Sequence, residues 1–229
     1  MKSYINRKKV GTRAELSNIA SIGGLVLLLA SLLLPTLAPK SGNLYLYVLF
    51  TGGALAMAGI YYANRWVRKP RPEEQLDRAL KGLGDTFHLF HYPDLPCDHV
   101  LLTPNGLVVL ETVALAGAFT YKGGRWREAM SMGRALRYVV EEHVGDPIAS
   151  AQRAERVLKE RLSTVTPAVI PMKSIVVFIH PGAELEIENA PIPILVAEKL
   201  KKQAVVDAPR LELETYEAVH EYLKKSTGG

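Results

Sequence analysis

The chain has 229 residues with a formal net charge of +5 and a single cysteine, which allows one or two domains and excludes an internal disulfide. Residues 1–71 hold 10 basic side chains and 1 acidic, whereas residues 72–229 hold 18 basic and 22 acidic. The basic excess therefore belongs to the N-terminal part, and the remainder, at −4, has no bulk attraction for nucleic acid.

Two uncharged runs of 24 residues come first, Leu16 to Pro39 and Ser41 to Asn64. As helices each reaches about 36 Å, enough for a hydrocarbon core of about 30 Å. Tyr45, Tyr47, Tyr61, Tyr62 and Trp66 fall where an interfacial aromatic belt would lie. A signal peptide fits poorly, because the first run starts late, is too long and is followed by a second. The pattern predicts a transmembrane helical hairpin over residues 1–71, with spans at about 17–37 and 44–64. Lys2, Arg7, Lys8, Lys9 and Arg13 precede it and Arg65, Arg68, Lys69 and Arg71 follow it, while the loop between carries only Lys40. The positive-inside rule then places both ends in the cytoplasm.

Lys69-Pro70-Arg71-Pro72 marks the boundary to a domain over 72–229. A helix is expected over Glu73 to Leu83, with Leu76, Ala79, Leu80 and Leu83 at helical spacing. A strand follows over Thr86 to Tyr92, and then a hairpin whose strands, Val100 to Leu102 and Leu107 to Leu110, are apolar enough to be buried on both faces. Asn105-Gly106 supplies its turn, as residues that tolerate positive φ. Gly117 to Tyr121 and the segment around Trp126 form a second hairpin across Lys122-Gly123-Gly124-Arg125, and Met130 to Glu142 reads as either strand or helix. Asp146-Pro147 starts a helix to about Leu162, with Asp as the cap and Pro at the first helical position. Strands at Lys173 to His180, Leu185 to Ile187 and Ile192 to Val196, and helices at Val196 to Gln203 and Glu214 to Lys225, complete a three-layer α/β domain.

The first hairpin opens with Asp98 and closes with Glu111, so both carboxylates reach one edge of an apolar sheet. Such a pair suits Mg²⁺, which takes carboxylate oxygen and water; the plainer reading is two solvated strand ends. His88, His91, Cys97 and His99 crowd together but match no tetrahedral zinc spacing, and His88 and His91 would face opposite sides of a strand. Glu184, Glu186 and Glu188 read as the solvated face of an edge strand, and Lys199 to Lys202 as a solvated helix face with a nucleic-acid contact as the alternative.

In order, the chain shows Glu73 before an apolar helix stripe, Asp98-His99 opening a strand, and Asn105-Gly106 followed by a strand ending in Glu111. Gly117, Trp126, Pro147 with Gln152, and Val176-Val177-Phe178 follow. This order resembles the NERD (nuclease-related) domain family. The resemblance implies a restriction-endonuclease-like α/β fold with a mixed central sheet, and a prokaryotic cell membrane as its location. It also implies Mg²⁺-dependent phosphodiester hydrolysis, with Asp98 and Glu111 as metal ligands, Glu73 as a helix carboxylate nearby and Gln152 as a polar residue facing the site. One position departs from the family. The lysine expected two residues after the glutamate is Val113, which neither donates a hydrogen bond nor offsets phosphate charge. The candidates for a replacement base are Lys122 and Arg125; without one the site is degenerate. The implied partners are the lipid bilayer and nucleic acid, with a non-enzymatic module binding nucleic acid or protein as the rival reading.

Overall fold

The computed structural model describes residues 1–40, 42–67, 69, 71–128 and 144–228. Met130 to Glu142, the ambiguous stretch, lies outside the described residues. The chain forms two compact units. One is made by Arg7–Lys69, and the other by Met1–Asn6 together with the described residues from 71 onwards.

The first unit is a pair of long helices, α1 (Arg7–Leu37) and α2 (Leu44–Trp66), both long and apolar enough to cross a membrane. Their outward side chains are apolar and exposed, among them Ile19, Ile22, Leu32, Tyr47 and Phe50. Small residues let the two backbones meet: a Cβ on Gly24 would lie 2.5 Å from the Ala56 nitrogen. Ser17 Oγ donates to the Gly59 carbonyl at 3.0 Å across the same contact. A polar group buried in an apolar helix pair is satisfied this way by the neighbouring backbone.

The second unit is built on a six-stranded mixed sheet. Its strands, in spatial order, are β1 (Lys2–Ile5), β2 (His88–His91), β3 (His99–Thr103), β4 (Gly106–Val113), β7 (Met172–Phe178) and β9 (Ile194–Val196). A smaller sheet joins β6 (Arg125–Glu128), β5 (Gly117–Lys122) and β8 (Ala183–Ile187). Helix α3 (Pro72–Ala79) and the short α5 (Leu200–Gln203) pack on one face of the main sheet, where Leu76, Leu80 and Leu200 meet Leu101, Val108, Leu110 and Val177. Helices α4 (Pro147–Leu162) and α6 (Leu213–Ser226) cover the other, where Ala154, Leu158, Val219 and Leu223 meet Val100, Leu107 and Val109. A sheet covered on both faces explains why β3 and the first half of β4 are continuous apolar runs rather than alternating ones. Asp146 caps α4 as its sequence predicts, accepting from the Ala149 backbone at 3.0 Å.

Two local expectations are corrected. Residues 1–6, read with the membrane hairpin, instead contribute β1, which pairs in parallel with β2 from Lys2↔His88 to Ile5↔His91. A four-residue strand separated from its partner by the whole hairpin leaves no periodicity to read. The β3–β4 turn also differs: Thr103 pairs with Gly106, so the two loop residues are Pro104 and Asn105. Proline fixes φ near −65° and so forbids the type I′ turn that Asn-Gly suggested. Gly106 has φ of 145°, and a Cβ there would lie 2.2 Å from the Pro171 carbonyl oxygen.

Candidate active site

The antiparallel register of β3 and β4 sets the centre of the site. His99 pairs with Leu110, and Asp98 and Glu111 are the next residues along the chain on either side of that pair, Asp98 in the loop that leads into β3. Glu111 alternates with Val109 and Val113, which places it on the face covered by α4 and α6. Asp98 and Glu111 are partly exposed, in contrast to the buried residues that precede Glu111 on β4. The loop before β3 is pinned to this point: the Tyr92 amide donates to the Asp98 carbonyl at 2.6 Å, with Tyr92 itself at φ of 56°.

Val113 shares the face of Glu111 but is closed in. It is 7% exposed and belongs to a cluster with Phe119, Ile148, Ala151 and Phe178. The position where the family pattern carries a lysine is thus a packed apolar contact between β4, α4 and the small sheet.

Of the remaining predicted residues, Glu73 and Lys122 have partners of their own. Glu73 sits on α3, which packs against the opposite face of the sheet; it accepts from Tyr92 Oη at 2.9 Å and lies 3.9 Å from the Arg71 guanidinium. Gln152 is exposed on α4. Lys122 lies on the small sheet, 2.9 Å from Glu188 Oε2, and this hydrogen bond and charge raise its pKa. Arg125 is its cross-strand neighbour and is exposed. Lys173, a further cation on β7, donates to the Val205 carbonyl at 2.6 Å. The acidic face of β8 is an edge of the small sheet, with Glu184 and Glu186 exposed.

Two polar groupings escape a sequence reading. On the α3 face, His91 Nδ1 is 2.8 Å from His99 Nδ1, and His91 Nε2 is 3.4 Å from Asp77 Oδ1. Geometry fixes the tautomers when both rings are neutral: His91 donates through Nε2 to Asp77, and His99 donates through Nδ1 to His91. This network clamps β2 to β3 directly beside Asp98. On the α4 face, Ser174 donates to the Glu155 carboxylate and lies 3.2 Å from the Ala151 carbonyl, so Glu155 rather than Gln152 is the α4 side chain turned to the sheet. Glu155 lies four residues after Ala151, one turn further along the stripe, and that spacing is the only trace of it in the sequence.

Asp98 and Glu111 are the residues that would hold a divalent ion. Two carboxylates with the remaining positions left to water and a phosphate suit Mg²⁺. Among the described residues no group of three or more His, Cys, Asp or Glu side chains has an arrangement that would hold a metal.

Comparison with curated proteins and with solved structures found no match. The family model for the nuclease-related domain matches residues 69–179, a span that begins just before α3 and ends with β7. The mixed sheet between two helical layers is consistent with the restriction-endonuclease-like fold of that family. Residues 69–179 thus carry a NERD, nuclease-related, domain.

Proposed function

We propose that the protein is a membrane-anchored, cytoplasm-facing NERD protein that keeps the metal-binding half of a phosphodiesterase site and has lost the half that activates water. The observation that supports this reading is that Asp98 and Glu111 flank the paired residues His99 and Leu110, with Val113 buried two residues beyond Glu111. In this chemistry the ion stabilises charge on the scissile phosphate. The two carboxylates would hold and orient it, and a cation beside them would position the attacking water. Val113 has no proton to give and no charge to offer, and Lys122 and Lys173 are engaged elsewhere. The domain would then recognise a phosphodiester of nucleic acid at the membrane without efficiently cutting it.

The topology follows from two supports. Parallel pairing of β1 with β2 requires residues before and after the hairpin to share one compartment. The basic residues flanking both spans then favour the cytoplasm.

The test is a cleavage assay of the full chain in detergent or nanodiscs, with DNA and RNA and with Mg²⁺ or Mn²⁺. Native protein, Glu111→Ala and Val113→Lys are compared. The reading predicts no metal-dependent cleavage by the native chain. Cleavage by the native chain that Glu111→Ala abolishes would overturn it.

A further inference from the structure

Strand β1 is held by an unusual set of contacts. Among the described residues it is an edge strand of four residues, bonded on one side. Its backbone ties are extended by Lys2 N to the Phe87 carbonyl at 3.0 Å and Asn6 N to the His91 carbonyl at 3.2 Å. The side chain that anchors it is Tyr4, which enters a cradle of rings from β2 and α6. The Tyr4 ring stacks on Phe90 at 5.0 Å and on His88 at 5.9 Å, and meets the edge of His220 at 5.7 Å. Tyr4 Oη lies 3.3 Å from His220 Nε2, and the His88 and His220 rings are 4.4 Å apart. His88 is 9% exposed, and its buried Nδ1 has no hydrogen-bond partner among the described residues.

We propose that β1 is a detachable clasp, docked while the His88–His220 pair is neutral and released when the pair takes up protons. The reasoning is electrostatic. An imidazole whose Nδ1 finds no acceptor and whose nearest titratable neighbour is a second imidazole has nothing to stabilise a positive charge, so a proton there is accommodated only by opening the cradle. The other charged groups do not remedy this. Lys2 from β1 and the Met1 nitrogen oppose a charge on His88, and Asp85 favours one only as a weaker influence. Around His220, Glu221 favours charge and Lys224 and Lys2 oppose it. Tyr216 of α6 is committed through its hydroxyl to the Thr86 carbonyl at 2.7 Å. In keeping with this geometry, burial and the neighbouring imidazole lower the His88 pKa to about 4, and burial lowers that of His220.

The consequence lies in connectivity. With β1 docked, the α/β unit is joined to both ends of the membrane hairpin, through Asn6 and through the stretch after Trp66. With β1 released, only the second connection remains, and the outer edge of β2 is open for pairing. The clasp is independent of whether the Asp98–Glu111 pair binds metal.

Hydrogen exchange of the full chain in nanodiscs, read by mass spectrometry between pH 7.5 and 4.5 after correction for intrinsic rates, tests this. A His88 pKa of about 4 docked and 6.5 released predicts a loss of protection at residues 2–6 of about 50–100-fold by pH 4.5. Residues 107–110 and 175–178, at the centre of the sheet, should stay protected over that range. His220→Gln and His88→Phe should each flatten the response, and one folded variant suffices to show it. Retained protection of residues 2–6 at pH 4.5 would overturn the clasp. So would loss in step with the centre of the sheet, or a response unchanged in a folded variant.

Discussion

Replacing Val113 with lysine restores the family residue, and its energetic cost reports whether the position still opens onto the carboxylates. Val113 is 7% exposed and contacts a cluster containing Phe119, Ile148 and Phe178. Val113→Ala forfeits most of its burial, about 2 kcal/mol. Val113→Lys keeps part of the apolar stem but must desolvate an ammonium, which costs several kcal/mol after relaxation, so a total of about 3–5 kcal/mol is expected. For a domain of this size, 1 kcal/mol moves Tm by about 2–4 °C. Val113→Lys should therefore lower Tm by roughly 6–20 °C, and Val113→Ala by roughly 4–8 °C. The buried thiol of Cys97, the only cysteine in the chain, reports unfolding of the α/β unit through its labelling rate on a temperature ramp of detergent-solubilised protein. If Val113→Lys proves as stable as the native chain, or more stable than Val113→Ala, the lysine is reaching Asp98 and Glu111. The claim that packing has sealed the position would then be wrong.

The same labelling readout serves the first two of three further expectations. Tyr4→Ala removes two ring stacks worth about 0.5–1.5 kcal/mol each and should lower Tm by several degrees, and a chain beginning at residue 72 should be destabilised at least as much because β1 is gone. Asp146→Ala removes the cap of α4 and should cost about 1 kcal/mol, with Asp146→Asn recovering most of it. Stability should also fall as pH drops from about 6.5 towards 4. His88 has a lowered pKa in the folded state, so the unfolded chain binds more protons in that window, and a shift from 6.5 to about 4 corresponds to roughly 3 kcal/mol lost by its lower end. His88→Phe should remove most of that slope, measured as urea midpoints across the range.

The elements with strong periodic or capping signals were legible in the sequence. The two uncharged runs became α1 and α2, and Asp146-Pro147 opened α4 where the cap chemistry required. The apolar runs flanking residues 103–106 became neighbouring strands buried on both faces. What stayed hidden depends on contacts between distant segments. The pairing of Lys2–Ile5 with β2 spans more than eighty residues, and four residues carry too little pattern to announce a strand. Within the site, the hairpin that carries Glu111 on β4 and brings Asp98 to the start of β3 could be read directly. Glu73 and Lys122 could be placed on their elements but not on a face or a sheet, and the structure gives them Tyr92 and Glu188 as partners. The Asp77–His91–His99 network needed both the β2–β3 register and the docking of α3, neither of which sequence spacing fixes.

The central proposal is that Asp98 and Glu111 together hold one divalent cation. Mn²⁺ binding to the full chain, followed by the loss of free-ion electron paramagnetic resonance signal, tests it most directly. The account predicts one weak site in the native protein that Asp98→Asn and Glu111→Gln each abolish, with the fold intact by Cys97 protection. Native protein that binds no Mn²⁺, or binding that survives both substitutions, would contradict it.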